Sequence, residues 1–143
     1  GGTKEDVTRF REKYHSSNLH IMGWRKPSEM PIWLEVADVA VIPTSAKSDI
    51  GKKYTSPLKL FEAMAAGKLI VAADIPSLRE ILSEREAVFF KPDNGRALAD
   101  VIRRVFANKK ETHGLAWEAS RRAYEYTWDK RAETILNFIL SRP

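Results

Sequence analysis

At 143 residues, 43% of them apolar and including four Trp, four Tyr and six Phe, the chain is the size of one domain and carries enough apolar bulk for a core, which excludes a disordered polymer. Twenty-four Lys and Arg against 19 Asp and Glu leave a net charge of +5, which favours anionic partners such as phosphorylated ligands, acidic lipid surfaces or nucleic acid. Cysteine is absent, which excludes a disulfide framework and any need for an oxidising compartment.

Short apolar runs alternate with stretches of helical period. Lys4 to Tyr14 is a polar, helix-compatible opening. Leu19 to Met22 reads as a short strand ending at Gly23. Ser28 reads as the N-cap of a helix over Met30 to Ala37, with Pro31 tolerated in its first turn. Val39 to Ile42 is a strand closed by Pro43. A polar loop follows from Thr44 to Thr55. Ser56-Pro57 then opens a helix, Ser as N-cap and Pro at the first helical position, which runs to Ala66 and stops at Gly67. Leu69 to Ala73 is an unbroken apolar strand, Pro76 to Leu82 a short helix, and Ala87 to Phe90 a strand. From Asn94 the pattern is helical, with Leu98, Val101, Ile102, Val105 and Phe106 at helix spacing. A second helix runs from about Glu111 to Tyr126. A third runs from about Asp129 to Leu140, with Ile135, Leu136, Ile139 and Leu140 on its apolar side.

Apolar strands alternating with helices predict an α/β fold, a Rossmann-like parallel sheet flanked by helices. Four strands are few for such a sheet. Gly1-Gly2, directly before a helix, reads as the loop after a strand that is not in the chain, which would leave one sheet edge open. No apolar run reaches the roughly 18 residues of a membrane span. The polar opening Gly1 to Asp6 lacks the apolar stretch of a signal peptide, so a cytoplasmic setting is expected.

In an open parallel sheet, ligands sit beyond the carboxyl ends of the strands. The loop after Ile42 is the longest there. It carries Lys47, Lys52 and Lys53 and feeds into a helix start at Ser56. Free backbone N–H groups and partial positive charge at a helix N-terminus, with lysines added, suit a diphosphate. The plain alternative is a solvated lysine-rich loop before an ordinary cap. Glu62 lies in the second turn of that helix among Leu58, Phe61, Ala63 and Met64. One carboxylate can accept from both hydroxyls of a ribose, whereas the bland reading pairs Glu62 with Lys59 on the helix surface. His15, His20 and His113 have no metal-site spacing, and no Gly-rich phosphate fingerprint or nucleophile elbow is present. Trp24, after Gly23, stands where a base could lie. Trp117, Tyr124, Tyr126 and Trp128 read as core packing or domain contact.

Ser56 to Asp74, SPLKLFEAMAAGKLIVAAD, resembles the donor-site signature of the retaining glycosyltransferase family four, or group 1, of GT-B fold. The order of Ile21-Met22-Gly23, Ala37-Asp38-Val39, Pro43-Thr44, Pro76-Ser77-Leu78-Arg79-Glu80 and Tyr126-Thr127-Trp128-Asp129 is similar to that family across nearly the whole chain. The resemblance implies that residues 1–143 are a single nucleotide-sugar-binding domain, the C-terminal half of a GT-B enzyme without its first strands and its N-terminal acceptor domain. In the signature, two Glu residues flank seven positions. The second contacts the ribose and is Glu62 here. The first contacts the donor sugar, and Tyr54 holds its place, a departure. Backbone amides of Thr55, Ser56, Leu58 and Lys59 would hold the diphosphate and sugar, and Trp24 and Arg25 the base. The implied partner is a UDP-, GDP- or ADP-sugar, with no cofactor, no metal and no nucleic acid. A parent working at the inner face of the membrane fits the same resemblance. Such a fragment alone is expected not to turn over.

Two other classes fit less of the sequence. A non-catalytic phosphate- or nucleotide-binding regulatory module of receiver type needs an acidic cluster, and Asp38 stands alone. A nucleic-acid-binding domain would need a basic recognition helix or a stacked aromatic motif.

Overall fold

The computed structural model describes residues 3–54 and 57–141, apart from the side chains of 109–111. The chain divides into two compact units, Gly1–Trp33 and Leu34–Pro143.

In the smaller unit, α1 spans Lys4–Lys13. Thr3 and Asp6 cap it reciprocally. The Asp6 N–H donates to Thr3 Oγ1 at 3.2 Å and the Thr3 N–H to Asp6 Oδ2 at 3.0 Å. Acidic Glu5 and Asp6 sit in its first turn and basic Arg11 and Lys13 in its last, as the helix dipole favours. Leu19 to Met22 is not a strand. A strand needs a neighbour for its backbone groups, and none is present among the described residues of this unit. The Ile21 carbonyl instead accepts from the Arg11 guanidinium at 2.7 Å. Ser28 is not an N-cap either: it lies inside a 3-10 turn, Pro27–Glu29, that leads into α2, Met30–Val36.

In the larger unit, β1 (Val39–Ile42), β2 (Leu69–Ala73) and β3 (Ala87–Phe90) form a parallel sheet in the order β1-β2-β3. Val39 pairs with Leu69, and Ile70 with Ala87. Ile70, Val71, Ala72 and Ala73 are all fully buried. Successive strand side chains point to opposite faces, so both faces of β2 are covered, which is why its sequence is continuously apolar. The sheet thus has three strands among the described residues, against four expected.

The helix after the long loop, α3, runs Leu58–Ala65 with Pro57 as its capping residue. It begins one residue later than expected because Pro57 is extended, at ψ 97°. Leu60, Ala63 and Met64 form its buried stripe. Gly67 adopts φ +61°, and Lys68 N–H donates to Ala63 O and Gly67 N–H to Met64 O, the paired bonds of a glycine-terminated helix. After β2 comes α4, Pro76–Arg79, shorter than expected. Three helices close the chain: α5 (Gly95–Ala107), α6 (Lys109–Ala123) and α7 (Trp128–Leu140), with a 3-10 turn at Tyr124–Tyr126. Val105 of α5 and Ala119 of α6 join the core. No residue of α7 is buried, and Ile135, Leu136, Phe138, Ile139 and Leu140 are exposed.

Candidate functional site

The loop after β1 is more ordered than its polar composition suggests. It closes in a π-helical turn, Ile50–Tyr54. The Lys47 N–H donates to Ser45 Oγ and the Gly51 N–H to Ser48 Oγ, each at 3.2 Å, and the Lys52 N–H donates to Ser48 O at 3.0 Å. Gly51 is packed so closely that a Cβ there would lie 2.9 Å from Ser45 O. Lys53 stands 3.7 Å from Asp49, an exposed pair worth little.

Two contacts tie this loop to the carboxyl ends of the other strands. Beyond β3, Asp93 has φ +55°, and its Oδ2 accepts from the Ala46 N–H at 2.9 Å. The Ser45 hydroxyl, the Ala46 N–H and the Lys47 charge hold its carboxyl below the usual range. Beyond β2, the Ser77 hydroxyl donates to Gly51 O at 3.3 Å. Arg79 grips Asp74 through two bonds, at 2.6 and 3.0 Å, reaches Glu84, and lies 3.6 Å from the Phe89 ring centroid. These bonds hold the Asp74 carboxyl low and push the Arg79 guanidinium up. Arg79 is thereby committed to joining α4 to the sheet.

Leu58 and Glu62 line one face of α3, the wall of a groove of about 860 Å³. The far wall includes Tyr126, Trp128 and Arg131, and the Tyr126 ring stands 5.0 Å from that of Phe61. Among the described residues no ion pair joins Lys59 to Glu62, and Glu62 is exposed. Lys59 is exposed on α3 outside the groove lining. Tyr54 is 77% exposed at the end of the π-helical turn. Thr55 and Ser56 lie outside the described residues, so the expected N-cap does too. Trp24 and Arg25 belong to the smaller unit, where Trp24 is 69% exposed and Arg25 lies over the Trp33 ring at 5.6 Å. Tyr124, Trp117 and Trp128, expected as core or contact residues, are exposed and so not core. Asp38 precedes β1, at the amino end of the sheet, away from the ligand-facing ends that a receiver's acidic cluster occupies.

Sequence reading passed over Asp93, Ser77 and Gly51. Only Asp93-Asn94-Gly95 carried a local signal, a turn composition in which Asp tolerates positive φ. No helix among the described residues is long and apolar enough to cross a membrane.

The parallel sheet flanked by helices is an α/β fold that matches the fold of GT-B glycosyltransferases. The chain belongs to the group 1 glycosyl transferases, whose family model matches residues 1–108. It is 36% identical over 75 residues to a Bacillus subtilis protein provisionally named as the teichuronic acid biosynthesis glycosyltransferase TuaH, covering 52% of this chain and 18% of that one. Its fold matches that of sucrose-phosphate synthase from Thermosynechococcus elongatus, with a TM-score of 0.75 at 18% identity over 94% of this chain and 33% of that one. It also matches HepE of Anabaena in complex with UDP, with a TM-score of 0.72 at 19% identity over 96% of this chain and 35% of that one. The chain therefore spans between 18% and 35% of the length of these proteins.

Proposed function

We propose that this chain is the donor-binding domain of a retaining, hexosyltransferase-type glycosyltransferase. The observation that carries the reading is Glu62: an exposed carboxylate with no ion-pair partner among the described residues, in a groove on α3, at the signature position for the ribose contact. HepE, whose fold this chain shares, is also known in complex with UDP-glucose, which supports a nucleotide-sugar as ligand.

In this reading the Glu62 carboxylate accepts from the ribose hydroxyls. The N–H groups of Leu58 and Lys59 face the diphosphate, and the signature assigns it those of Thr55 and Ser56, which lie outside the described residues. Transfer breaks the bond between the sugar's anomeric carbon and the diphosphate oxygen. The acceptor hydroxyl bonds the anomeric carbon and gives its proton to the departing diphosphate oxygen, which takes the electron pair of the broken bond. Lys47, Lys52 and Lys53 and the α3 N-terminus supply positive potential where the leaving anion gathers charge. Tyr54 offers a hydroxyl where the signature has a second carboxylate. Glycan synthesis on the cytoplasmic side, without a metal ion, completes the proposal, in which residues 1–143 alone do not turn over.

A thermal-shift screen of the full-length protein against UDP, GDP, ADP and their sugars tests it. Stabilisation by one base series, stronger for the diphosphate than for the nucleoside, is expected. No shift with any of them at millimolar concentration would overturn it.

A further inference from the structure

Residues 44–54 carry the lysines, and their own bonds from Ser45 and Ser48 shape the segment without fixing it to the ends of the neighbouring strands. Its closest tie to the sheet comes from 47 residues further along the chain, where Asp93 Oδ2 accepts the Ala46 N–H. The placement of that carboxylate is itself fixed. Asp93 sits at φ +55°, a region closed to most side chains but open to Asp, Asn and Gly. Asn94 follows at the start of α5 and caps it, its Oδ1 accepting the Ala97 N–H at 3.0 Å. The turn is thus held between β3 and a capped helix, and the carboxylate is presented at a set position rather than searching for one.

We propose that Asp93 is a positioning residue for donor binding: its carboxylate, presented by the left-handed turn after β3, holds the 44–54 loop in the shape that receives the donor diphosphate. This rests on the donor-binding reading given above. Asp93 does not itself face the diphosphate as a ligand, since two anions would repel. It acts through the loop backbone at Ala46, which lies between the Ser45 hydroxyl and the Lys47 cation. The site is exposed, so its effect is on the loop's population of one shape and not on global stability.

Three variants of the full-length protein separate the clasp from the turn. Asp93→Gly keeps the left-handed backbone and removes the acceptor. Asp93→Asn keeps both the backbone tolerance and one acceptor oxygen. Asp93→Ala loses both. Amide exchange of 44–54 is read without ligand, and the affinities for UDP, GDP and ADP and for their free nucleosides are read alongside melting temperature. Asp93→Gly is expected to melt with the wild type, to exchange faster at Ala46, and to bind the preferred nucleoside diphosphate about 3- to 10-fold more weakly, the loss of roughly one hydrogen bond, with the nucleoside unaffected. Asp93→Asn is expected within about twofold of the wild type. Unchanged exchange and unchanged diphosphate affinity in Asp93→Gly would overturn the inference, as would an equal loss for diphosphate and nucleoside. The two readings fail differently. If the donor reading is wrong, the wild type binds no nucleoside diphosphate, and exchange at Ala46 still decides whether Asp93 holds the loop. If only the positioning inference is wrong, Glu62→Ala loses diphosphate affinity and Asp93→Gly does not.

Discussion

Gly51 is the tightest point of the loop after β1, and replacing it measures how far the loop's shape matters. A Cβ at Gly51 would lie 2.9 Å from Ser45 O and 3.2 Å from Ser48 Oγ. The serine hydroxyl can rotate away, but the backbone oxygen cannot. To reach the 3.4 Å of ordinary contact the two strands of the loop must part by about 0.5 Å. Overpacking costs about 1–3 kcal/mol in a core, and an exposed loop relaxes toward the lower limit. The alanine also restricts the unfolded chain, which returns about 0.5 kcal/mol. The net expectation for Gly51→Ala is a loss of about 0.5–1 kcal/mol, a fall of roughly 2–4 °C in melting temperature. Gly114 is the internal control. It lies within α6 with nothing inside 4 Å of an added Cβ, so Gly114→Ala should gain about 0.5–1 kcal/mol. The parting of the loop also strains the Ser77–Gly51 bond, so Gly51→Ala and Ser77→Ala should cost less together than the sum of the two. Calorimetric melting of the four variants, with a nucleoside diphosphate titration of each, is the assay. A Gly51→Ala protein that melts and binds like the wild type would refute the claim that this loop has one tight, functional shape.

Leu60 is fully buried on α3, so Leu60→Ala should cost about 2–5 kcal/mol, read as a lower urea midpoint at an unchanged slope. Glu86 is 7% exposed and accepts from the Ser83 N–H at 2.8 Å and its hydroxyl at 2.6 Å, with Arg122 at 3.3 Å. Burial alone would raise its carboxyl, but Ser83 and Arg122 outweigh that and hold it below the usual value of 4.5. A depressed carboxyl stabilises above its unfolded value and ceases to as pH falls through its folded one. Glu86→Gln should therefore cost about 1.5 kcal/mol near pH 7. That difference should shrink as pH drops below 4.5, and stability curves of the two proteins from pH 7 to pH 3 check it.

The strands Val39–Ile42, Leu69–Ala73 and Ala87–Phe90 were legible because each is a short apolar run bounded by breakers, and burial on both faces leaves no polar alternation to confuse it. The stop of α3 at Gly67 was legible because only a left-handed residue makes that termination without strain. Leu19 to Met22 misled for the converse reason: its composition suits a strand, but a strand exists only with a neighbour, and local composition does not reveal one. The exposure of Trp128 and of the apolar residues of α7 was equally hidden, since helical period shows that a face is apolar and not what covers it. At the site, Glu62 was visible as a carboxylate out of place in an apolar segment. The bonds from Asp93 to Ala46 and from Ser77 to Gly51 were not visible, because they join loops far apart in sequence whose nearness is set by the order of the parallel strands.

The central claim is that Glu62 holds the ribose of a nucleotide donor, and calorimetric titration of the full-length protein with nucleoside diphosphates tests it most directly. A charge-assisted hydrogen bond contributes roughly 1.5–3 kcal/mol, so Glu62→Ala should bind about 10- to 100-fold more weakly than the wild type. Glu62→Gln, which keeps one acceptor and the side-chain shape, should lose less. Because Glu62 is exposed and unpaired with Lys59, neither variant should melt more than a few degrees from the wild type. Equal affinities across all three proteins would remove Glu62 from the site and contradict the claim.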